Sequence, residues 1–207
     1  MNAETLIAFA GASAILALAP GPDNLFVLTQ AALHGRRAGL LITLGLCSGL
    51  VLHTTAVALG VAAIFLVSLT AFTLLKLVGA AYLLYLAWQA WRASIPILAL
   101  SQSPALSAGA LYRRGVIMNL TNPKVAIFFL AFLPQFADPA AGALPLQLLL
   151  LGLIFIVVAL LVFSGIATLA AWLARPLQRS PRIRLLLNRS TALVFAGLAL
   201  HLASTSR

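Results

Sequence analysis

Pro20-Gly21-Pro22-Asp23-Asn24 and Asn119-Leu120-Thr121-Asn122-Pro123-Lys124 each interrupt a long apolar stretch. Pro20, Pro22 and Pro123 lack an amide hydrogen, so a helix running through them would leave the carbonyls of Leu16, Leu18 and Asn119 without donors. In an apolar medium such breaks persist only where other helices bury them or where they line a wet cavity. Each motif also carries an ionisable group, Asp23 or Lys124, at apparent membrane depth. Such a group costs roughly 2.5 to 3.5 kcal/mol on insertion scales unless it is paired, hydrated or used. Breaks and charges at the same two points suggest that the chain moves a solute through a membrane.

Composition agrees with that setting. Of 207 residues, 63% are hydrophobic and 8% charged, against roughly 25% charged in an ordinary soluble domain. This is the profile of an integral membrane protein. The formal charge of +10 comes from thirteen Lys and Arg scattered in short clusters between apolar runs, not gathered on one aromatic-studded face, so nucleic acid is not an expected partner. The single Cys47 permits no intrachain disulfide, and redox chemistry says nothing about compartment. The first apolar run ends in Ala17-Leu18-Ala19 as a secretory signal might, but no Lys or Arg precedes it and Pro20 follows. It is expected to be retained as a first span.

Apolar runs of about 20 residues place six spans at 5–33, 38–67, 70–91, 114–134, 145–174 and 189–205. The first is too long for a straight helix across about 30 Å of hydrocarbon at 1.5 Å per residue, and the Pro-Gly-Pro break resolves the excess as one broken span. Orientation follows the arginines. Arg36, Arg37, Arg92, Arg113, Arg114, Arg175, Arg179, Arg182, Arg184 and Arg189 flank alternate connections, with Arg207 alone on the other side. Both termini are therefore expected to face outward. Trp88, Trp91, Tyr112 and Trp172 fall near the cytoplasmic ends as an interfacial belt. The basic run from Arg175 to Arg189 also suits anionic lipid headgroups.

Aligning Pro22 with Pro123 sets Asp23 against Lys124, and each motif then opens a three-span half. A second copy of an odd-span unit must enter the membrane from the opposite side, the inverted-repeat arrangement of many secondary transporters. The expectation is an all-α integral membrane protein: six transmembrane helices as two inverted three-helix repeats, with spans 1 and 4 broken at the proline motifs. It forms a single domain over 1–207, with repeat one at about 5–91, a linker at about 92–113 containing Ser101, Ser103, Pro104 and Ser107, and repeat two at about 114–205.

Half-helices that start at the breaks carry partial positive charge at their N-termini. Exposed amides after Pro22 and Pro123, with the Lys124 ammonium, suit a carboxylate, and Asp23 suits an amine or an exchanging proton. Asn24, Asn119, Thr121 and Asn122 offer neutral hydrogen bonds around the same point. Two plainer readings stand beside this one. Asp23 could simply cap its half-helix, or Asp23 and Lys124 could form a buried structural pair. His53 is a candidate proton relay, with helix packing as the simpler role; His34 and His201 have no metal-ligand neighbours. Gly45 with Gly49, and Gly79-Ala80-Ala81, supply small faces for packing within the subunit or in a homodimer, and Lys76 is expected to snorkel to the interface. No catalytic triad, phosphate loop, zinc spacing or dinucleotide fingerprint is present, so no enzyme activity, cofactor or metal is expected.

The order Pro20-Gly21-Pro22-Asp23-Asn24, His34-Gly35, Gly79-Ala80-Ala81-Tyr82-Leu83, Asn119-Leu120-Thr121-Asn122-Pro123-Lys124 and Phe132-Leu133-Pro134-Gln135-Phe136 resembles the LysE/RhtB superfamily of bacterial amino-acid exporters over nearly the whole chain. The resemblance implies a cytoplasmic-membrane exporter of amino acids or derivatives, driven by the proton gradient, in the branch that includes homoserine, homoserine lactone and threonine exporters. The linker between Ala93 and Leu111 is uncharged, where many relatives carry charges. One acid and one base at mid-membrane favour a small neutral amino acid over a dibasic one. A small-cation or metal exporter and a non-transporting membrane scaffold are the alternatives.

Overall fold

The computed structural model describes residues 1–67, 69–93 and 106–204, with side chains other than those of 61–67, 69, 71, 72, 175–179 and 184. Ser101, Ser103 and Pro104 of the expected linker, and Arg207, lie outside the described residues. The described chain is helical. In order, α1 is Ala3–Leu18, α2 Pro22–His34, α3 Arg36–Val67, α4 Leu69–Arg92, α5 Ala108–Leu120, α6 Pro123–Ile127, α7 Leu144–Thr168, α8 Ala170–Arg179 and α9 Pro181–Ser204.

Both proline motifs break their helices. The axis turns by 61° between α1 and α2, and by 49° between α5 and Pro123–Phe136. Beyond α6 the chain widens into a π-helical turn over Phe128–Phe132 and tightens into a 3-10 turn over Leu133–Phe136. Pro134 explains the irregularity, because it lacks the amide needed to continue an α-helical ladder. Four helices are long and apolar enough to cross a membrane, or up to six if each bent pair is one span.

Local chemistry sets the other boundaries. Asn2 caps α1 by accepting the Thr5 amide at 2.9 Å, and Ser107 caps α5 by accepting that of Ala110 at 3.3 Å. That cap starts the helix at Ala108, within the linker range of about 92–113. Gly35 joins α2 to α3 at φ +84°, a backbone region glycine enters without steric cost. The fifth span ends earlier than expected. α7 stops at Thr168, and Leu169 turns the chain into the separate α8. α9 then starts at Pro181, eight residues before the expected 189, since proline at a first turn needs no donor.

α3 is the central helix, packing against α5, α7 and α2; α1 packs on α7, and α4 on α9. The α3–α5 crossing is closest. A Cβ added to Gly45 would lie 2.1 Å from the Tyr112 carbonyl oxygen, one on Gly115 would lie 2.4 Å from that of Ile42, and one on Gly49 would lie 2.6 Å from Asn119 Oδ1. The Tyr112 hydroxyl adds a hydrogen bond to Ser48 Oγ at 2.9 Å. Gly79 is likewise used inside the subunit, its added Cβ falling 2.3 Å from that of Ala131. Phe9, Phe128, Phe129, Phe132 and Phe155 fill the core between these helices, with ring centroids 4.9 to 6.1 Å apart along the Phe128 contacts.

Because backbone meets backbone at Gly45 and Gly115, no side-chain rotation can absorb a larger residue there. Gly115→Val is expected to lower stability by at least ~1–3 kcal/mol, read as thermal unfolding in detergent. Gly197→Val, at a position with nothing within 4 Å, is the control and should lose far less.

Candidate functional site

The two breaks meet, and side-chain donors reach the freed C-terminal end of α1. α2 begins at Pro22 behind an extended Gly21, which offers no side-chain cap. Asn24, in the first turn, reaches back so that Nδ2 donates to the Ala17 carbonyl at 2.7 Å. The remaining ends of α1 are held from the other motif: Lys124 Nζ donates to the carbonyls of Leu16 at 3.2 Å and Ala19 at 3.1 Å. A cation at a helix C-terminus is favourable both as a donor and against the helix dipole. Gly21 makes room, since its added Cβ would stand 3.3 Å from Lys124 Nζ.

Asn122 is the link between the charges. It caps α6, its Oδ1 accepting the Lys124 amide at 3.0 Å, while its Nδ2 donates to Asp23 Oδ2 at 2.7 Å. Asp23 and Lys124 therefore meet through Asn122 and not as a contact ion pair, which replaces the simple structural pair considered from sequence. The α6 N-terminus is also not the open anion site expected there. Asn122 Oδ1 takes the Lys124 amide, and the Asn122 carbonyl takes those of Val125 and Ala126 at 3.1 Å each. Asp23 Oδ1, Asn24 Oδ1 and Asn119 Oδ1 are buried acceptors without a hydrogen-bond donor among the described residues.

A cavity of about 830 Å³ adjoins this junction. Both breaks line it, through Pro20, Gly21 and Pro22 on one side and Asn122, Pro123 and Lys124 on the other. α4 contributes Tyr82, Tyr85, Trp88, Gln89 and Arg92, and α9 contributes Asn188, Thr191 and Phe195. Gln89 Nε2 donates to the Tyr85 hydroxyl at 2.6 Å, and the Arg92 guanidinium lies over the Trp88 ring at 4.8 Å. The sequence-expected residues thus divide. Lys124 and Asn122 line the cavity, whereas Asp23, Asn24 and Asn119, at 2%, 7% and 1% exposure, are not among its lining residues.

His53 stands apart from the cavity. Its Nε2 is 3.4 Å from the Asn119 carbonyl, and its ring packs at 5.7 Å from that of Phe129. His201 packs beside Phe132 and Phe136. Among the described residues no group of three His, Cys, Asp or Glu could hold a metal ion. The α4 and α9 walls are not singled out by the sequence reading, in which Trp88 belongs to an interfacial belt and Tyr82 to the family motif Gly79-Ala80-Ala81-Tyr82-Leu83. A signal existed: Tyr82, Tyr85, Leu86 and Gln89 recur at i, i+3, i+4 and i+7 on one helix face, as do Asn188 and Thr191 at i, i+3.

Replacing Lys124 by Met would strip the Leu16 and Ala19 carbonyls of a donor in a buried setting. The expected loss is about 1–3 kcal/mol per orphaned carbonyl, measured as a lowered unfolding midpoint in detergent. Lys124→Arg, which keeps charged donors, should retain more of it.

Comparison with known proteins gives this arrangement its relatives. Residues 14–206 match the model of the LysE type translocator family. The chain is 37% identical over 204 residues to an uncharacterised membrane protein of Vibrio cholerae, covering 99% of this chain and 98% of that one. It is 37% identical over 182 residues to the homoserine/homoserine lactone efflux protein of Salmonella typhimurium, covering 86% and 88%. A leucine efflux protein of Enterobacter sp. is 30% identical over 199 residues, covering 91% and 90%. No solved structure matches the chain. With its broken helices and buried Asp23, Asn122 and Lys124 in place across that span, the chain is a membrane protein that belongs to the LysE family of translocators.

Proposed function

We propose that this chain is a secondary active exporter of a small neutral amino acid or derivative, of homoserine or threonine type, across the bacterial cytoplasmic membrane, coupled to the proton gradient. One observation carries the reading: two proline breaks from opposite halves of the chain, with Lys124 between them, line one cavity of a size suited to a small solute. The names of the Salmonella and Enterobacter relatives, efflux proteins for homoserine or its lactone and for leucine, point to uncharged side chains.

In this proposal α1–α2 is one bent span and α5 with Pro123–Phe136 another, giving six spans in two inverted repeats within a single domain. The packing supports it. A two-fold exchange of the halves turns the α3–α5 contact into α7–α1 and maps α3–α7 and α4–α9 onto themselves, and all of these pairs pack. The arginine distribution puts both termini outside the inner membrane. A homodimer would have to form through surfaces other than Gly45, Gly49 and Gly79, which are already packed inside the subunit.

Roles follow the geometry. Lys124 uses two of its three donors on α1 and turns the third to the solute carboxylate, with Asn122 beside it. Asp23 lies one hydrogen bond behind, with Oδ1 open to accept a proton, so it serves coupling, not substrate contact. Asn24 and Asn119 hold the breaks, and His53 ties α3 to the second one.

The test is efflux from proteoliposomes loaded with a labelled amino-acid mixture, with and without an imposed pH gradient. Wild type should lose one or a few neutral amino acids faster under the gradient. Asp23→Asn, which keeps an acceptor for Asn122, should remain folded and fall to the protein-free leak rate. Equal gradient-driven flux in wild type and variant would remove Asp23 from coupling, and no flux from folded wild type would overturn the exporter itself.

A further inference from the structure

We infer that the cavity recognises its solute by a carboxylate and an apolar body, and does not require a free amine. N-acylated amino acids and other carboxylates with an apolar side chain then bind as well as the parent amino acid. This inference rests on the cavity being the transport site, as proposed above, and names the class of solute that the site takes.

The charges around the cavity are one-sided. Lys124 and Arg92 line it, and no Asp or Glu does. The whole chain has three acidic residues, so each can be located. Glu4 is exposed in the first turn of α1. Asp138 is the cap of the short turn Pro139–Ala141, its Oδ1 accepting the Ala140 amide at 2.9 Å. Asp23 is buried and bonded to Asn122. None is among the residues that line the cavity.

The wall's neutral side chains spend donors on neighbouring groups and can offer an ammonium only uncharged oxygen acceptors. The Tyr85 hydroxyl accepts from Gln89, Asn188 Nδ2 donates to the Ala93 carbonyl, and the Thr191 hydroxyl donates to the Leu187 carbonyl at 2.8 Å. The face of Trp88, the ring best suited to a cation, already carries Arg92. A solute ammonium would therefore lose water without gaining a charged partner, while a carboxylate gains the third Lys124 donor. The body of the solute meets Tyr82, Phe195, Leu25 and Leu86, which take its carbon chain.

Three compounds separate the two ends of the solute: L-leucine, N-acetyl-L-leucine, which keeps only the carboxylate charge, and L-leucine amide, which keeps only the amine. Binding to the purified full chain in lipid nanodiscs is read from tryptophan fluorescence and from thermal stabilisation. N-acetyl-L-leucine should bind within about threefold of L-leucine and the amide at least about tenfold more weakly. Lys124→Gln should weaken both carboxylates and leave the amide unchanged, and the wild-type comparison stands by itself if that variant does not fold. An amide that binds as well as leucine, loss of binding on acetylation, or no saturable binding by either carboxylate would overturn the inference. Binding in the expected order without any flux would sink the exporter reading alone. Flux of free leucine with no binding of its acetyl derivative would sink the recognition rule alone.

Discussion

A backbone carbonyl surrounded by hydrocarbon must have a donor, and the end of α1 has several such carbonyls with no helix to supply one. The solution governs the interior. Asn24 serves Ala17 locally, but Leu16 and Ala19 are served by an ammonium that arrives from more than a hundred residues away. To bring Lys124 there, the second break must lie against the first. The glycine crossing of α3 and α5 then has to be tight enough to carry Asn119 and Asn122 inward. The cavity is the space left beside that junction.

The same junction explains how two charges are tolerated at such depth. Lys124 spends its charge on helix-end carbonyls, Asp23 receives an amide proton from Asn122, and Asn122 is itself fixed by capping α6. Neither group makes direct contact with the other; each is held through neutral hydrogen-bonding groups.

Much of this was legible in the residues. Prolines inside apolar runs announced both breaks and named the Leu16 carbonyl as one to be satisfied, and the arginine clusters marked the connections. The destinations were not legible. Nothing local in Pro123-Lys124 says that the lysine reaches α1 instead of Asp23, because that depends on how α3 and α5 cross, and the partners of Gly45 and Gly49, Gly115 and Asn119, each lie 70 residues downstream. The Tyr82 to Gln89 stripe shows the reverse failure: its periodicity was visible, but a membrane helix has lipid, protein and cavity on its faces, and periodicity alone does not say which face meets which. α8 was hidden by hydropathy, since its apolar first residues extend the α7 run without marking the turn at Leu169.

On the proposed repeat, the counterpart of the α3–α5 crossing is α7 against α1, and the two are mechanically unequal. At Gly45 and Gly115 backbone rests on backbone, so α3 and α5 travel as one stiff body. Gly11 in α1 has open space around it, Ile7 and Leu18 are largely exposed, and its inner end is secured by one hydrogen bond from Asn24 and two from the flexible Lys124 side chain. One crossing is a hinge plate and the other a latch. A solute that draws the Lys124 ammonium toward itself would loosen the latch while the plate stays rigid, making α1 the first part of the molecule to swing.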